Sequence, residues 1–140
     1  MTLPADFATA HRRHWKDAEL LFAEARLGNA DHLYGFSAEC GLKAVMLGLG
    51  MSVDASGKPT RRKHAQHVPD LWPVFETFVE ARGASRRLRD LPSGSPFGDW
   101  SHHDRYSATG CASPDSVNRH REAARIIRRL VQRAEQEGTP

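Results

Sequence analysis

Apolar residues recur at intervals of three and four over most of the chain, the spacing that places them along one face of an α-helix. They predict a first helix over about residues 6–27 and a second over about residues 30–49, with Gly28 and Asn29 ending the first. Two long helices with so short a link favour an antiparallel hairpin. Small residues in the second helix, such as Gly41, would let a neighbouring helix approach closely.

A third helix is predicted over about residues 68–81, with its aromatic side chains in the core. Residues 50–66 and 92–113 have no regular period and contain several Gly and Pro residues, so both are predicted to be loops. A short turn of helix is expected within residues 84–91. A loop as long as the second is usually functional or disordered.

The final helix has the clearest boundaries. Ser113 is a favoured N-cap, Pro114 suits the first helical position, and Gly138 lies beyond the last turn. The whole pattern predicts an all-α protein, an antiparallel bundle of four main helices plus a short extra helix. With 140 residues, the chain is expected to form a single domain over residues 1–140.

Two features of the final helix bear on function. His120 falls on the apolar arc, where we expect a hydrogen-bonded core histidine rather than a catalyst. Arg121, Arg125 and Arg128 form a stripe beside that arc, and few acidic residues lie near them in sequence. The stripe is expected to stay positive, as a solvated face, a phosphate-binding surface or a contact for an acidic partner.

Composition narrows the class of protein. The chain is 39% hydrophobic and 26% charged, which is typical of a soluble globular protein, and no apolar run approaches the length of a spanning helix. The N-terminus lacks the pattern of a secretion signal, so the cytoplasm is the expected location. Cys40 and Cys111 are too few for a disulfide framework and are predicted to be free thiols. No cofactor is expected.

The positive charge is unevenly distributed. Residues 61–133 carry a net charge of +6, whereas residues 1–60 carry −1. Sixteen of the 20 basic residues are Arg, whose planar guanidinium suits phosphate and carboxylate recognition. A GC-rich genome would produce the same excess of Arg, so composition leaves both explanations open.

The order of these features resembles the HEPN domain family over nearly the whole chain. The resemblance is carried by Ala38-Glu39-x3-Lys43-Ala44 in the second helix, the KHAQH cluster before the third helix, and Arg105-Tyr106 shortly before the last. It implies a helical bundle that forms a homodimer and binds RNA or a nucleotide. Members of this family include ribonuclease-type toxins and defence components, and also non-catalytic interaction modules and accessory partners of nucleotidyltransferases.

The nuclease members carry an Arg and a His with four to six residues between them, near the last helix. A His can transfer protons at the ribose hydroxyl or the leaving oxygen, and an Arg can stabilise the scissile phosphate. The expected Arg is Arg105, but Gly110, Cys111 and Ala112 occupy the positions where the His should be. The resemblance therefore leaves open whether the chain is an enzyme.

The candidate site consists of groups that transfer protons or bind phosphate. The candidate catalytic residues are Arg105, His102 and His103. The candidate ligand-binding residues are Tyr106, Asp104, Glu39, Lys43, His64 and His67.

Each of these groups also has a structural interpretation. Glu39 and Lys43 stand four apart in the order that favours a helix ion pair. His64 and His67 are expected either to receive an anion or to be solvated. Tyr106 and Trp100 could pin the loop to the bundle while Arg105 pairs with an acidic side chain. The paired histidines have no nearby cysteine, so no metal site is expected.

Overall fold

Four long helices make up most of the described chain, which comprises residues 5–103 and 112–138 of a computed structural model. They are α1 (Phe7–Ala23), α2 (Leu27–Gly48), α3 (Val68–Ala81) and α4 (Pro114–Gln136). Two short 3-10 turns, Arg62–Ala65 and Ser85–Leu88, flank α3. No β-strand occurs within the described ranges, where the only extended pairing is an isolated bridge between Val53 and Pro59. The predicted all-α bundle is confirmed.

The turn between the first two helices differs from the prediction. Gly28 and Asn29 do not end α1, because both lie in the first turn of α2. The chain reverses earlier, at Ala25, whose φ of 60° is the left-handed conformation that usually favours glycine. Asp6 caps α1 as expected, with its carboxylate accepting a hydrogen bond from the Thr9 backbone N–H at 3.0 Å.

Contacts between side chains fix the helix directions. His11 contacts Ser37, whereas Trp15 and Phe22, which lie later in α1, contact Tyr34, which lies earlier in α2. The two helices are therefore antiparallel. The third and fourth helices complete the bundle around α2, which is the most buried element.

The close helix approach predicted at Gly41 is confirmed. A methyl group there would lie 2.5 Å from Ile127 on α4 and 2.9 Å from His11 on α1. Glycine is therefore what allows both neighbours to contact α2 so closely. The aromatic face of α3, with Trp72 and Phe75 fully buried, packs in the main core as predicted.

The loop predicted at 92–113 is tied to the bundle in its described part. Phe97 and Trp100 are both buried, at 0% and 3% exposure. The indole N–H of Trp100 donates a hydrogen bond to the backbone oxygen of Asp31 at 3.0 Å. Gly35 permits this contact, since a methyl group on Gly35 would lie 1.9 Å from the indole ring. We refer to residues 95–103 as the anchored segment.

In the part of the chain that the structure describes, none of the helices combines the length and apolar character needed to cross a bilayer.

Candidate functional site

A buried carboxylate at Glu39 organises the polar cluster where α2 meets the start of α3. One oxygen of Glu39 accepts hydrogen bonds from His67 Nδ1 at 3.0 Å and from the Val68 backbone N–H at 3.1 Å. The other oxygen accepts from Lys43 Nζ at 3.3 Å. The predicted ion pair of Glu39 and Lys43 is present, but both side chains are only 8% exposed. Burial makes each partner dependent on the other, because an unpaired buried charge is costly.

Glu39 also caps α3. His67 is the N-cap residue of that helix, and its own side chain forms no capping hydrogen bond. The carboxylate of Glu39 takes that place by accepting from the Val68 N–H, one of the groups that a helix start leaves without an intrahelical partner. The Glu39 carboxylate therefore holds both the imidazole of His67 and the backbone N–H of Val68 at the start of α3.

Three imidazole rings continue outward from Glu39. The ring of His67 stacks on that of His102 with 4.1 Å between centroids, and His102 lies 4.0 Å from His103. The side chain of His67 is 42% exposed, so the stack begins at a buried carboxylate and reaches solvent. The structure thus brings together Glu39, Lys43 and three of the candidate histidines. We call His67, His102 and His103 the histidine stack.

Aromatic rings border the histidine stack. Phe36 contacts two rings edge-on, with 6.0 Å between its centroid and that of His67 and 5.3 Å between its centroid and that of Trp100. Trp100 in turn stacks on His32 with 5.9 Å between centroids. Phe36 is half-buried, so an apolar edge lies beside the polar stack. Such a combination suits ligands that have both a ring and a charged group.

A second polar cluster holds the anchored segment to α4. His120 is buried and lies between two carboxylates, with Nδ1 2.5 Å from Asp31 and Nε2 2.7 Å from Asp99. Carboxylates only accept hydrogen bonds, so both ring nitrogens donate when both acids are ionised, which requires the imidazolium form. Arg119 and Ser116 also donate to Asp99, at 2.8 Å and 3.0 Å. The prediction of a hydrogen-bonded core histidine at position 120 is confirmed.

Opposing effects set the protonation of this cluster. Burial alone would lower the pKa of His120, but the hydrogen bonds and charges of Asp31 and Asp99 outweigh it and raise the pKa. Burial would likewise raise the pKa of Asp99, yet its hydrogen bonds from Arg119, His120 and Ser116 hold that pKa well below its usual range. The two carboxylates therefore favour the charged form of His120, which joins α2, α4 and the anchored segment.

His64 is separate from the histidine stack in its contacts. Its ring is buried at 4% exposure and meets Phe78 edge-on at 5.2 Å. The interpretation of His64 as a solvated loop residue is wrong, because its ring packs onto α3. Burial, together with the charges of Lys63, Arg61 and Arg82, lowers the pKa of His64.

Three predicted site residues, Asp104, Arg105 and Tyr106, lie outside the described residues. Their parts in binding and catalysis stay predictions.

Carboxylates neutralise two of the three arginines in the stripe of the last helix, so the stripe is less positive than predicted. Arg121 donates to both oxygens of Glu19 on α1, at 2.7 Å and 3.0 Å, and Arg125 pairs with Glu122 at 2.9 Å. These hydrogen bonds lower the pKa of Glu19, which keeps the neutralising carboxylate ionised. The sequence could not reveal the partner from α1, because the two residues are far apart along the chain.

The surroundings of the site give little support to nucleophilic catalysis by a cysteine or to metal binding. Burial and the neighbouring Glu39 charge raise the pKa of the Cys40 thiol to about 12, so it is not an activated nucleophile. No group of three or more His, Cys, Asp or Glu side chains in residues 5–103 and 112–138 is arranged to hold a metal ion.

Sequence reasoning missed two parts of this region. Asp31 and Asp99 were not identified as partners of His120, since residues 89 and 21 positions away give no local signal. The bond from Glu39 to the start of α3 was missed for the same reason. A polar residue on an otherwise buried helix face, as Asp31 and Glu39 are on α2, was the one available hint.

Comparison with protein-family models, curated proteins and solved structures finds no match to this chain.

Proposed function

We propose that this protein binds RNA at the histidine stack and that His67 transfers protons at the bound phosphodiester. The single observation that carries the proposal is the hydrogen bond from His67 Nδ1 to the buried Glu39, with the rest of the His67 ring exposed. A carboxylate that holds one ring nitrogen fixes the tautomer and directs the other nitrogen toward a substrate.

The chemistry follows from that tautomer. When Nδ1–H of neutral His67 donates its hydrogen bond to Glu39, the lone pair lies on Nε2, which can accept the proton of a ribose 2′-hydroxyl. The 2′-oxygen then forms a bond to phosphorus while the bond to the 5′-oxygen breaks, and that leaving oxygen takes up a proton. His102, whose ring stacks on that of His67, is a candidate donor of this second proton.

Glu39 and Lys43 have a positioning role in this proposal. Both are buried, so a ligand on the surface meets His67 first. Lys43 balances the Glu39 charge, and Glu39 orients His67. The same proposal includes a phosphate-binding role for Arg105. It also includes the homodimer that the HEPN resemblance implies.

Purified protein should be incubated with mixed single-stranded RNA and the products separated by size. We expect cleavage by the wild type and a loss of about 100-fold or more in rate for His67→Gln, because removal of a general base typically costs that much. Arg105→Ala should also lose cleavage. Arg125→Gln is the control, since Arg125 pairs with Glu122 on α4, apart from the histidine stack.

Each outcome has a distinct meaning. Equal cleavage by the wild type and His67→Gln would exclude His67 as the proton-transfer group. RNA that is bound but not cleaved by the wild type would favour the non-catalytic alternative, an interaction module or accessory partner of a nucleotidyltransferase. Failure of the wild type to bind RNA would remove the proposed function altogether.

A further inference from the structure

A concentrated positive surface lies on the turn that leads into the site. Arg61, Arg62 and Lys63 are consecutive and all exposed, and they begin the 3-10 turn that precedes His67. Arg82, at the end of α3, is also exposed. We call these four residues the basic patch.

Packing on one aromatic ring brings the two parts of the basic patch together. The Arg82 guanidinium lies over the ring of Phe78 at 4.5 Å from its centroid. His64, which follows Lys63 directly, meets the same ring edge-on at 5.2 Å. The charges of Lys63, Arg61 and Arg82 all act on His64 strongly enough to contribute, after burial, to its lowered pKa. Three of the four cations therefore act on a single buried imidazole, that of His64.

The basic patch differs from the paired arginines of α1 and α4 in its partners. On α1 and α4, Arg12, Arg121, Arg125 and Arg133 each pair with a carboxylate. None of the four cations of the basic patch forms an ion pair within the described part of the chain. Unpaired cations held close together repel one another, so an anion that binds among them relieves this repulsion.

The patch also lies close to the proposed site. His67 lies four positions after Lys63, and an extended chain spans about 3.5 Å per residue, so their Cα atoms are at most about 14 Å apart. A nucleic acid strand that reaches His67 thus extends to the basic patch within a few nucleotides.

We infer that the basic patch binds the phosphates of a single-stranded RNA segment flanking the one held at the histidine stack. This inference rests on the proposed function and names the surface that supplies its binding energy. Phosphate contacts by Arg and Lys provide the sequence-independent part of such binding, and they make it dependent on salt.

Salt-dependent binding tests the inference. A short labelled RNA with 2′-O-methyl groups, which His67 cannot activate, is titrated with protein between about 50 and 200 mM salt, and its fluorescence anisotropy gives the affinity. The variant Arg61→Gln/Arg62→Gln/Lys63→Gln should bind on the order of tenfold more weakly at the lower salt concentration. Three lost phosphate contacts should reduce the slope of log affinity against log salt by about 2, at about 0.7 per contact.

A second triple variant, Arg12→Gln/Arg125→Gln/Arg133→Gln, is the matched control. It removes the same net charge from arginines that are already paired with carboxylates. Such exposed ion pairs contribute little to stability, so the control should remain folded. Circular dichroism confirms that each variant is folded before its affinity is compared.

The results separate the inference from the proposed function. A weaker, less salt-dependent basic-patch variant beside an unchanged control supports the inference. Equal losses in both triple variants would show that only net charge matters and would overturn it. If the wild type binds RNA and the basic-patch variant binds equally well, the inference fails while the proposed function stands.

Discussion

The position of Trp100 depends on the absence of a side chain at Gly35. Gly35→Ala would place a methyl group 1.9 Å from the indole ring, which is far inside contact distance. Because the indole is rigid and buried, either it or α2 must move. We expect a loss of about 2–3 kcal/mol in the free energy of unfolding, measured by urea denaturation, together with a changed near-ultraviolet circular dichroism spectrum.

A second glycine of α2 provides the control for that experiment. A methyl group added at Gly28 would have nothing within 4 Å. Alanine is the better helix former by up to about 1 kcal/mol, so Gly28→Ala should be neutral or stabilising. Unchanged stability of Gly35→Ala would mean that Trp100 does not occupy the position described.

At the same scale, polar partners were the hardest feature to predict. The sequence pattern placed His120 in the core correctly, because its position on the helix arc is a local property. The carboxylates that bind it come from α2 and from the anchored segment, and no local rule specifies which acid meets which histidine. His64 shows the same limit, since a ring within a basic, irregular run gave no sign of packing onto Phe78.

Among the elements, α4 offers the most direct test of local sequence rules. The hydroxyl of Ser113 accepts a hydrogen bond from the Ser116 backbone N–H at 3.1 Å, which satisfies one free donor at the helix start. Ser113→Ala should therefore lower the free energy of unfolding by about 1 kcal/mol, measured by urea denaturation. Ser93→Ala, in an exposed bend, is the control and should differ little from the wild type. A loss of the same size in both variants would contradict the capping role.

Helix boundaries could be predicted where capping and periodicity agree. The third helix occupies the predicted residues, and the fourth begins directly after the predicted cap. The α1–α2 turn was misplaced because Gly28 and Asn29 are common at helix ends, whereas the structure uses Ala25 in the left-handed conformation. Packing of α1 along α2 decides the position of this turn, and a local residue preference is too weak to compete.

For the whole molecule, buried histidines whose pKa values are shifted in opposite directions should give a maximum in stability as a function of pH. Burial lowers the pKa of His11 and His64, so below about pH 6.5 the unfolded chain takes up protons that the folded state does not. The free energy of unfolding therefore decreases as the pH is lowered below this value. The pKa of His120 is raised, so its contribution is full below about pH 6.5 and is lost as the pH rises through its folded pKa. We expect the free energy of unfolding to peak near pH 6.5.

The variant His120→Gln isolates the alkaline side of this profile. Denaturation of the wild type and the variant between about pH 5 and 8 should show their difference shrinking as the pH rises. Ser93→Ala is the control, because it replaces an exposed residue that does not titrate and should leave the shape of the profile unchanged. A constant difference between the wild type and His120→Gln would show that His120 does not hold an extra proton in the folded state.

The anchored segment separates positions that maintain the fold from positions that face the solvent. Phe97, Asp99 and Trp100 each contact the bundle, while His103 shortly afterwards is exposed. A combinatorial library confined to position 103 would therefore sample new binding preferences on an intact scaffold. Randomising Phe97 and Trp100 instead would mainly yield misfolded clones, because both side chains are buried.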